Sequence, residues 1–270
     1  PGDPEGSADE DAREAQAALP FLECELRLAE ERGPEDAGVA EALRQLAVAH
    51  NDVGDPQRSR ELSERELSIE ERLYGPDHVQ VAPTLANLAI AHGGLGDPQR
   101  KRELLERALQ IMERHYGPDH FEVAMTLKNL ANAHGALGDA QRQRELLERA
   151  LQLEERHHGP DHFQVAQTLN GLATALGSLG DPQSSSELLE RALQIDERHY
   201  GRDHVRVAIT LTNLAVAQGL LGHSQRKREL LERALQIQER HYGPEHFQVA
   251  LTLFNLARAR EALGDAAGAE

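Results

Sequence analysis

The chain has 270 residues, of which 39% are apolar and 28% charged, a composition typical of a folded chain rather than a disordered one. Aromatic residues make up only 3% and Trp is absent, which favours helices over a β-sandwich or barrel. The net charge of −17 argues against nucleic acid as a partner, because a phosphate backbone would be repelled over most of the surface.

Three further features narrow the class of protein. Cys24 is the only cysteine, so an intramolecular disulfide and a cysteine-based zinc site are both excluded. The sequence contains no apolar run of the length that a transmembrane helix needs. The chain begins at Pro1 without an apolar or Arg-rich leader, and we interpret it as a processed product or a piece of a longer protein.

The first residues form an acidic arm. Residues 1–38 hold 12 acidic and 3 basic residues, more than half of the negative excess of the chain. The pattern predicts a helix near 9–32, which caps the structure that follows, and a mobile tail before it.

A repeat of 42 residues dominates the remaining sequence. A Gly preceded by Tyr or His recurs at this period without a slip, at Gly75, Gly117, Gly159, Gly201 and Gly243. Near-copies lie between these glycines, for example GPDHFEVAMTLKNLANAHGALGD at 117–139 and GPDHFQVAQTLNGLATALGSLGD at 159–181. A fixed period of this length predicts stacked supersecondary elements, none of which can bury its apolar face alone.

Each repeat reads as two helices. The first helix is expected to begin at an acidic N-cap, and the predicted caps are Asp77, Asp119, Asp161, Asp203 and Glu245. Gln or Glu follows three residues later, as in a capping box, except after Asp203, where Arg206 breaks the pattern. It ends at glycines such as Gly135 and Gly138, and a second helix follows at about 140–157. Charged pairs four residues apart are predicted to support the second helices: Glu103–Arg107, Glu145–Arg149, Glu187–Arg191 and Glu229–Arg233.

These residues resemble the tetratricopeptide repeat. The stretch from Leu130-Ala131 through Leu-Gly-Asp to Glu-Arg-Ala-Leu carries the likeness, and the 42-residue length is similar to the repeats of kinesin light chain and nephrocystin. The resemblance covers about residues 39–262 and implies an all-α fold, a right-handed α-solenoid of stacked helix-turn-helix repeats. We therefore divide the chain into an arm (1–38), an array of about five and a half repeats (39–262) and a tail (263–270). The sequence departs from the family where a small residue is expected early in the second helix, at Ser59, Lys101, Gln143, Ser185 and Lys227.

The resemblance also implies a partner-binding surface, because the first helices of such arrays line a concave groove. Asn amides in one row of these helices hold the backbone of an extended peptide in family members. Mapped onto this chain, the candidate groove residues are Arg44, Asn87, Lys128, Asn129, Asn132, Asn170, Asn213, Asn255 and Arg258. Gly93, Gly135, Gly177 and Gly219 are expected to leave room for a close approach.

Two readings of the Asn row stay open: it binds a partner, or it only satisfies polar groups of neighbouring repeats. The few charges predict a neutral groove that prefers an extended or helical polypeptide with small apolar and amide contacts.

Other candidate sites have simpler interpretations. The repeat itself explains the histidines, such as His199 and His204, without a metal ligand role. Basic triplets at 100–102 and 226–228 would form a ridge for an acidic partner unless neighbouring Glu residues neutralise them. No nucleophile motif or phosphate-binding loop occurs, so we expect neither catalysis nor a cofactor.

The leading hypothesis is a non-enzymatic scaffold that binds a protein or peptide partner in the concave groove. The alternative is a constitutive architectural subunit of a large complex, which could be membrane-associated, with contacts on the outer helices and an empty groove.

Overall fold

A computed structural model describes residues 8–33 and 36–264, with side chains from Ala12 onward. The mobile tail predicted before the first helix, and nearly all of the predicted tail at 263–270, lie outside these residues. The contacts divide the chain into an N-terminal unit, Pro1–Gly138, and a C-terminal unit, Asp139–Glu270. The boundaries at 38 and 262 stay predictions.

The described residues form twelve helices and no strand. In the N-terminal unit they are α1 (Ala8–Arg32), α2 (Ala37–Asp52), α3 (Pro56–Tyr74), α4 (Val81–Gly94), α5 (Pro98–Tyr116) and α6 (Val123–Ala136). In the C-terminal unit they are α7 (Ala140–His158), α8 (Phe163–Ser178), α9 (Pro182–Tyr200), α10 (Val205–Leu220), α11 (Ser224–Tyr242) and α12 (Phe247–Ala262). We call the even-numbered helices first helices and the odd-numbered helices second helices.

Within each unit, every helix packs against the next one along the chain. The first helices bury one Leu at the same repeat position in every complete repeat: Leu43, Leu85, Leu127, Leu169 and Leu211. Small Ala side chains beside it, such as Ala89 and Ala173, are also fully buried and let the helices approach closely. The 42-residue period is therefore the period of the core.

The predicted acidic caps of the first helices are wrong, because histidine caps the three first helices of the C-terminal unit. In the N-terminal unit, α4 and α6 have Gln80 and Glu122 as N-cap residues without a side-chain hydrogen bond, and α2 is capped by Asp36. His162, His204 and His246 are the N-cap residues of α8, α10 and α12, and each Nδ1 accepts a hydrogen bond from the backbone N–H two residues on. His78 and His120 make the same bond in the N-terminal unit.

Two of the acidic residues that precede these histidines pair with an arginine instead of capping the helix. Asp77 and Asp161 lie 3.1 and 2.9 Å from Arg114 and Arg198, which belong to the following second helices. Each capping His ring also stacks on the aromatic ring that precedes the repeat's glycine, for example Tyr242 on His246 with centroids 4.2 Å apart. This geometry explains why an aromatic residue, Gly and His recur together.

Three of the pairs predicted four residues apart on the second helices are also wrong. Arg107, Arg191 and Arg233 reach back to the preceding second helix and pair with Glu71, Glu155 and Glu197. The same guanidinium groups donate to backbone carbonyls of the preceding loop, such as Pro76 and Pro160. A two-ended contact of this kind links successive repeats, which a pair within one helix does not.

Candidate functional site

In the N-terminal unit, the first helices present one row of side chains to solvent. Val48, Ile90 and Asn132 occupy the same repeat position and are all exposed. The neighbouring predicted positions, Asn87 and Asn129, are half-buried. A pocket of about 620 Å³ lies between α1 and α2 and includes Arg44, Gln45, Val48 and Asp52.

Charge at this pocket is partly neutralised within α2 itself. Arg44 Nη2 donates to Glu41 Oε2 at 2.6 Å, and this hydrogen bond raises the pKa of Arg44 and lowers that of Glu41. Lys128, the second predicted cation of this unit, is half-buried. Neither predicted cation is a fully exposed charge.

In the C-terminal unit, a groove of about 320 Å³ runs between α8 and α10, with α9 at its floor. Its walls carry two exposed apolar side chains, Val216 (49% exposed) and Leu220 (61%). Thr174 and Ser178 lie opposite, and each hydroxyl donates to a backbone carbonyl one turn earlier, so the lone pairs of its oxygen remain for a second donor. None of the groove's lining residues is charged.

The predicted Asn residues separate into two groups. Asn170 Nδ2 donates to Thr210 Oγ1 at 2.9 Å, and Asn213 Nδ2 donates to Asn170 Oδ1 at 3.1 Å. These two amides thus satisfy polar groups of neighbouring repeats, although Asn213 also lines the groove. The amides of Asn87, Asn129, Asn132 and Asn255 make no hydrogen bond to any residue that the structure describes.

Arg258, the remaining predicted residue, is exposed near the end of α12. Its guanidinium carbon lies 6.0 Å from the centre of the Phe254 ring, a cation–π distance. The structure therefore leaves Arg258 accessible at the last first helix of the C-terminal unit.

The open space predicted beside four glycines of the first helices is filled at two of them, Gly93 and Gly219. A Cβ at Gly93 would lie 3.0 Å from Lys101 Cδ, and one at Gly219 would lie 2.9 Å from Lys227 Cδ. The Lys stems fill this space, and burial lowers the pKa of Lys101. At these two repeats a long Lys stem in the second helix, where the family has a small residue, therefore packs into the space beside a glycine of the first helix.

Sequence reasoning missed a column of buried polar contacts. Thr84, Thr168, Thr210 and Thr252 are buried at one repeat position of the first helices. Each Oγ1 donates to a side chain of the preceding second helix, namely Glu70, Glu154, Asp196 and Gln238, at 2.6–2.7 Å. The sequence pattern that could have revealed these contacts is a Thr that recurs every 42 residues on the otherwise apolar face of the first helices.

Two buried carboxyl groups beside these Thr residues, Asp196 and Glu66, have strongly raised pKa values. Burial raises the pKa of Asp196 to about 6, although its bond from Thr210 opposes the shift. Burial also raises the pKa of Glu66 to about 8. Glu66 is fully buried at a position that is Ala in later repeats, such as Ala108, and its Oε2 has no hydrogen-bond partner among the described residues.

The basic triplets match the neutralised interpretation. Arg100 and Arg142 lie 2.8 Å from Glu103 and Glu145, and Arg226 lies 3.6 Å from Glu229. Exposed pairs of this kind add little stability, but they cancel the field of the triplets.

The residues that the structure describes contain no group of three His, Cys, Asp or Glu side chains placed to hold a metal ion. They also contain no helix long and apolar enough to cross a bilayer.

Several solved structures are similar to this chain. The nearly identical TPR-like repeats of a kinesin light chain-type protein from Podosopora anserina share 26% identity, cover 74% of this chain and 94% of that one, and superpose with a TM-score of 0.65. BtubC (BKLC) from P. vanneervenii has 22% identity, 88% and 94% coverage and a TM-score of 0.69. The Cut9-Hcn1 structure of the APC/C has 15% identity, 93% and 41% coverage and a TM-score of 0.69. The last two likenesses concern the fold alone.

A search of curated proteins found no significant match. A family model described as tetratricopeptide repeat matches residues 38–100, 102–151 and 144–198, and a second with the same description matches 81–122 and 207–248. The predicted all-α repeat solenoid and its kinesin light chain-like character are confirmed. The chain belongs to the tetratricopeptide repeat family.

Proposed function

We propose that this protein is a non-enzymatic scaffold that binds a polypeptide partner along its first helices, with the groove between α8 and α10 as the principal contact. The repeats and their structural relatives support a protein-interaction scaffold in general. The observation that carries the finer proposal is that Val216 and Leu220 are exposed on the walls of an uncharged groove. Exposed apolar walls above a packed floor are characteristic of a binding site rather than a solvated face.

The chemistry of the groove limits the partner. Val216 and Leu220 offer apolar contact, whereas the hydroxyl oxygens of Thr174 and Ser178 can accept hydrogen bonds. A partner with small apolar side chains and free backbone N–H donors matches both. A strongly acidic peptide would gain no ion pair from the groove's lining residues.

Selection of a displayed random peptide library on the protein, followed by titration of the selected peptides, tests this proposal. Val216→Glu and Leu220→Glu should each weaken binding by about tenfold or more, because each places a charge on an apolar wall. Leu179→Glu is the matched control, since Leu179 has similar exposure to Val216 but does not line the groove.

The same experiment distinguishes groove binding from the alternative role as an architectural subunit of a large complex. Unchanged affinity in both groove variants would contradict groove binding. A protein that selects no peptide and leaves its native source only within a larger complex would match the architectural role instead.

A further inference from the structure

A small polar pocket lies beside the groove, between the same helices α8 and α10 and over α9. Its volume is about 170 Å³, and the side chains that line it include Gln167, Asn170, Asp196, Arg206 and Thr210. Pockets for drug-sized molecules occupy roughly 300–1,000 Å³, so this cavity suits a single amino acid side chain instead. We call it the Asp196 pocket.

Three residues of the Asp196 pocket depart from the repeat. Gln167 stands at a position of the first helices that is apolar in α4, α6, α10 and α12, namely Pro83, Met125, Ile209 and Leu251. Arg206 stands where the repeats of α4, α6, α8 and α12 have Gln or Glu. Asp196 stands where α3, α5, α7 and α11 have Glu, Met or Gln. Departures that converge on one cavity in a chain of near-copies indicate a site with its own specificity.

A relay of hydrogen bonds connects this pocket with the groove. Asn213, which lines the groove, donates to Asn170, which lines the pocket. Asn170 in turn donates to Thr210, and Thr210 Oγ1 donates to Asp196 Oδ2 at 2.7 Å. The relay uses the single hydroxyl proton of Thr210 and holds the buried Asp196 carboxylate in one orientation.

Two groups of the pocket keep unused hydrogen-bonding capacity. Asp196 accepts from Thr210 through one oxygen, and its other oxygen, Oδ1, bonds to no residue that the structure describes. The carboxamide of Gln167, which is half-buried, likewise makes no hydrogen bond within the described part of the chain. The pocket therefore offers an acceptor at Asp196 and both a donor and an acceptor at Gln167.

The charges at the pocket oppose each other. Burial raises the pKa of Asp196 to about 6. The groups that oppose this shift are Thr210, Arg206, His204 and His199. The carboxylate is therefore ionised at neutral pH, and the Arg206 guanidinium carries the opposite charge at the same cavity. A cationic occupant would be attracted by Asp196 and repelled by Arg206, and an anionic occupant would meet the reverse. This lining favours a neutral occupant that both donates and accepts.

We propose that the Asp196 pocket binds the carboxamide side chain of an Asn or Gln residue in the polypeptide that occupies the α8–α10 groove. The carboxamide N–H donates to Asp196 Oδ1, and the carboxamide oxygen accepts from Gln167. This inference rests on the proposed groove binding and adds the side chain that decides which polypeptides bind.

The spacing of the two cavities limits the partner further. The pocket and the groove follow each other along both helices, for example from Asn170 to Gly177 on α8. Seven helical residues rise about 10 Å. An extended chain spans this distance in about three residues. The Asn or Gln should therefore lie about three residues from the small apolar residue that contacts Val216.

Peptides selected from the displayed random library are the probe for this inference. We expect the selected sequences to share an Asn or Gln at the stated spacing from a small apolar residue. A synthetic copy in which Glu replaces the Gln, or Asp the Asn, should bind the wild-type protein about tenfold more weakly or worse, because an ionised carboxylate has no proton to donate to Asp196. Titration of each pair of peptides measures the preference for the amide.

Asp196→Asn should remove this preference. The new amide can still accept a hydrogen bond from Thr210, as Gln238 accepts one from Thr252, and its NH2 group then replaces the acceptor in the pocket. The variant should bind the acidic peptide at least as well as the amide peptide. Glu154→Gln is the matched control, since it makes the same change beside Thr168 but does not line the pocket. Circular dichroism and thermal unfolding check that both variants keep the fold.

The possible failures differ from one another. Selected peptides that lose affinity for Val216→Glu, but bind the wild-type protein equally well as amide and acid, would overturn carboxamide recognition and leave groove binding intact. The same preference for the amide in wild type and Asp196→Asn would also overturn it. A library that yields no binding peptide would overturn both proposals together.

Discussion

Glu66 shows how a single residue changes the chemistry of one repeat junction. Thr84 Oγ1 lies 2.9 Å from Glu66 Oε1 and 2.6 Å from Glu70 Oε2. One hydroxyl proton can serve only one carboxylate, so both contacts are hydrogen bonds only when one carboxyl is protonated. Burial raises the pKa of both groups, and Glu41 and Arg44 on α2 add opposing charges nearby.

The raised pKa of Glu66 predicts the sign of its pH dependence. An unfolded Glu titrates near 4.5, whereas folded Glu66 titrates near 8. Between these values the folded protein holds the extra proton, so the free energy of unfolding falls as the pH rises. Glu66→Gln should therefore raise stability at pH 8 on the order of 2–4 kcal/mol and have little effect near pH 4.5.

Urea denaturation at a series of pH values from acidic to mildly alkaline measures this effect. Glu64→Gln, an exposed neighbour on α3, serves as the control and should leave the slope unchanged. An equal effect of Glu66→Gln at every pH would contradict the assignment.

The sequence pattern predicted on which helices the candidate site residues lie, but it did not predict which side chains contact each other. The 42-residue register placed Asn170 and Asn213 on the first helices, but it did not show that the two amides bond to each other. The sequence marks Lys101 as a departure from the family pattern and Gly93 as a position with open space, but only the structure shows that the stem of Lys101 fills the space beside Gly93. Contacts between helices depend on rotation and side-chain reach, which a periodic pattern does not specify.

At the scale of a helix, the histidine N-cap of α8 couples the stability of that helix to pH. An imidazole accepts a hydrogen bond only while the accepting nitrogen is unprotonated. Burial lowers the pKa of His162, and the neighbouring His158 and His199 lower it further, with Glu154 acting in the opposite direction. The cap of α8 thus requires a neutral ring.

His162 should make the protein less stable at mildly acidic pH. In the unfolded chain a His binds a proton near pH 6.5. Because the folded pKa is lower, the unfolded state gains more protons as the pH drops through this range, and the free energy of unfolding falls. His162→Asn should remove that dependence and keep the cap, whereas His162→Ala should cost about 1 kcal/mol at pH 7.5. Unfolding midpoints at pH 7.5 and 5.5 distinguish the three proteins, and an unchanged slope in His162→Asn would contradict the proton assignment.

Glycines inside the first helices provide a second prediction at this scale. Gly177 has only Ser185 Oγ near its missing Cβ, at 3.9 Å, so Gly177→Ala should stabilise α8 by about 0.5–1 kcal/mol. Gly219→Ala forces its Cβ against Lys227 and should stabilise α10 less or destabilise it. Thermal unfolding of both variants measures the difference, and Gly219→Ala combined with Lys227→Ala should recover the gain. Equal effects of the two single variants would show that the Lys stem moves freely.

At the scale of the whole molecule, the register predicted where the helices lie but not which of their faces are buried. The second helix expected at 140–157 is α7, Ala140–His158, and the helix expected near 9–32 is α1, Ala8–Arg32. The repeated sequence could not show which faces lack a neighbour, because α12 has nearly the same sequence pattern as α8 and α10. Leu253 of α12, for example, is 45% exposed, whereas its equivalents Leu169 and Leu211 are fully buried.

Nearest-neighbour packing predicts a gradient of local stability within each unit. Helices packed on two sides must lose two interfaces to open, whereas α12 loses only its contact with α11. Hydrogen exchange followed by mass spectrometry should show faster exchange in α12 than in α10 at low protein concentration. Uniform protection of both helices would contradict nearest-neighbour stability.

The buried Thr column has a consequence for how the number of repeats can change. The Thr recurs from α4 to α12, whereas α2 has Ala42 at this position. Its partner on the preceding second helix is a carboxyl at Asp196 and an amide at Gln238, while Met112 stands at the equivalent position before Thr126. A hydroxyl both donates and accepts, so it can bond either kind of group. Loss or duplication of a repeat that joined one of these four second helices to another of the four bonded first helices would therefore leave the Thr with a compatible partner, whereas a junction formed with Met112 would not. Four of the junctions are thus interchangeable at this position, and the number of repeats can change there without a new side chain.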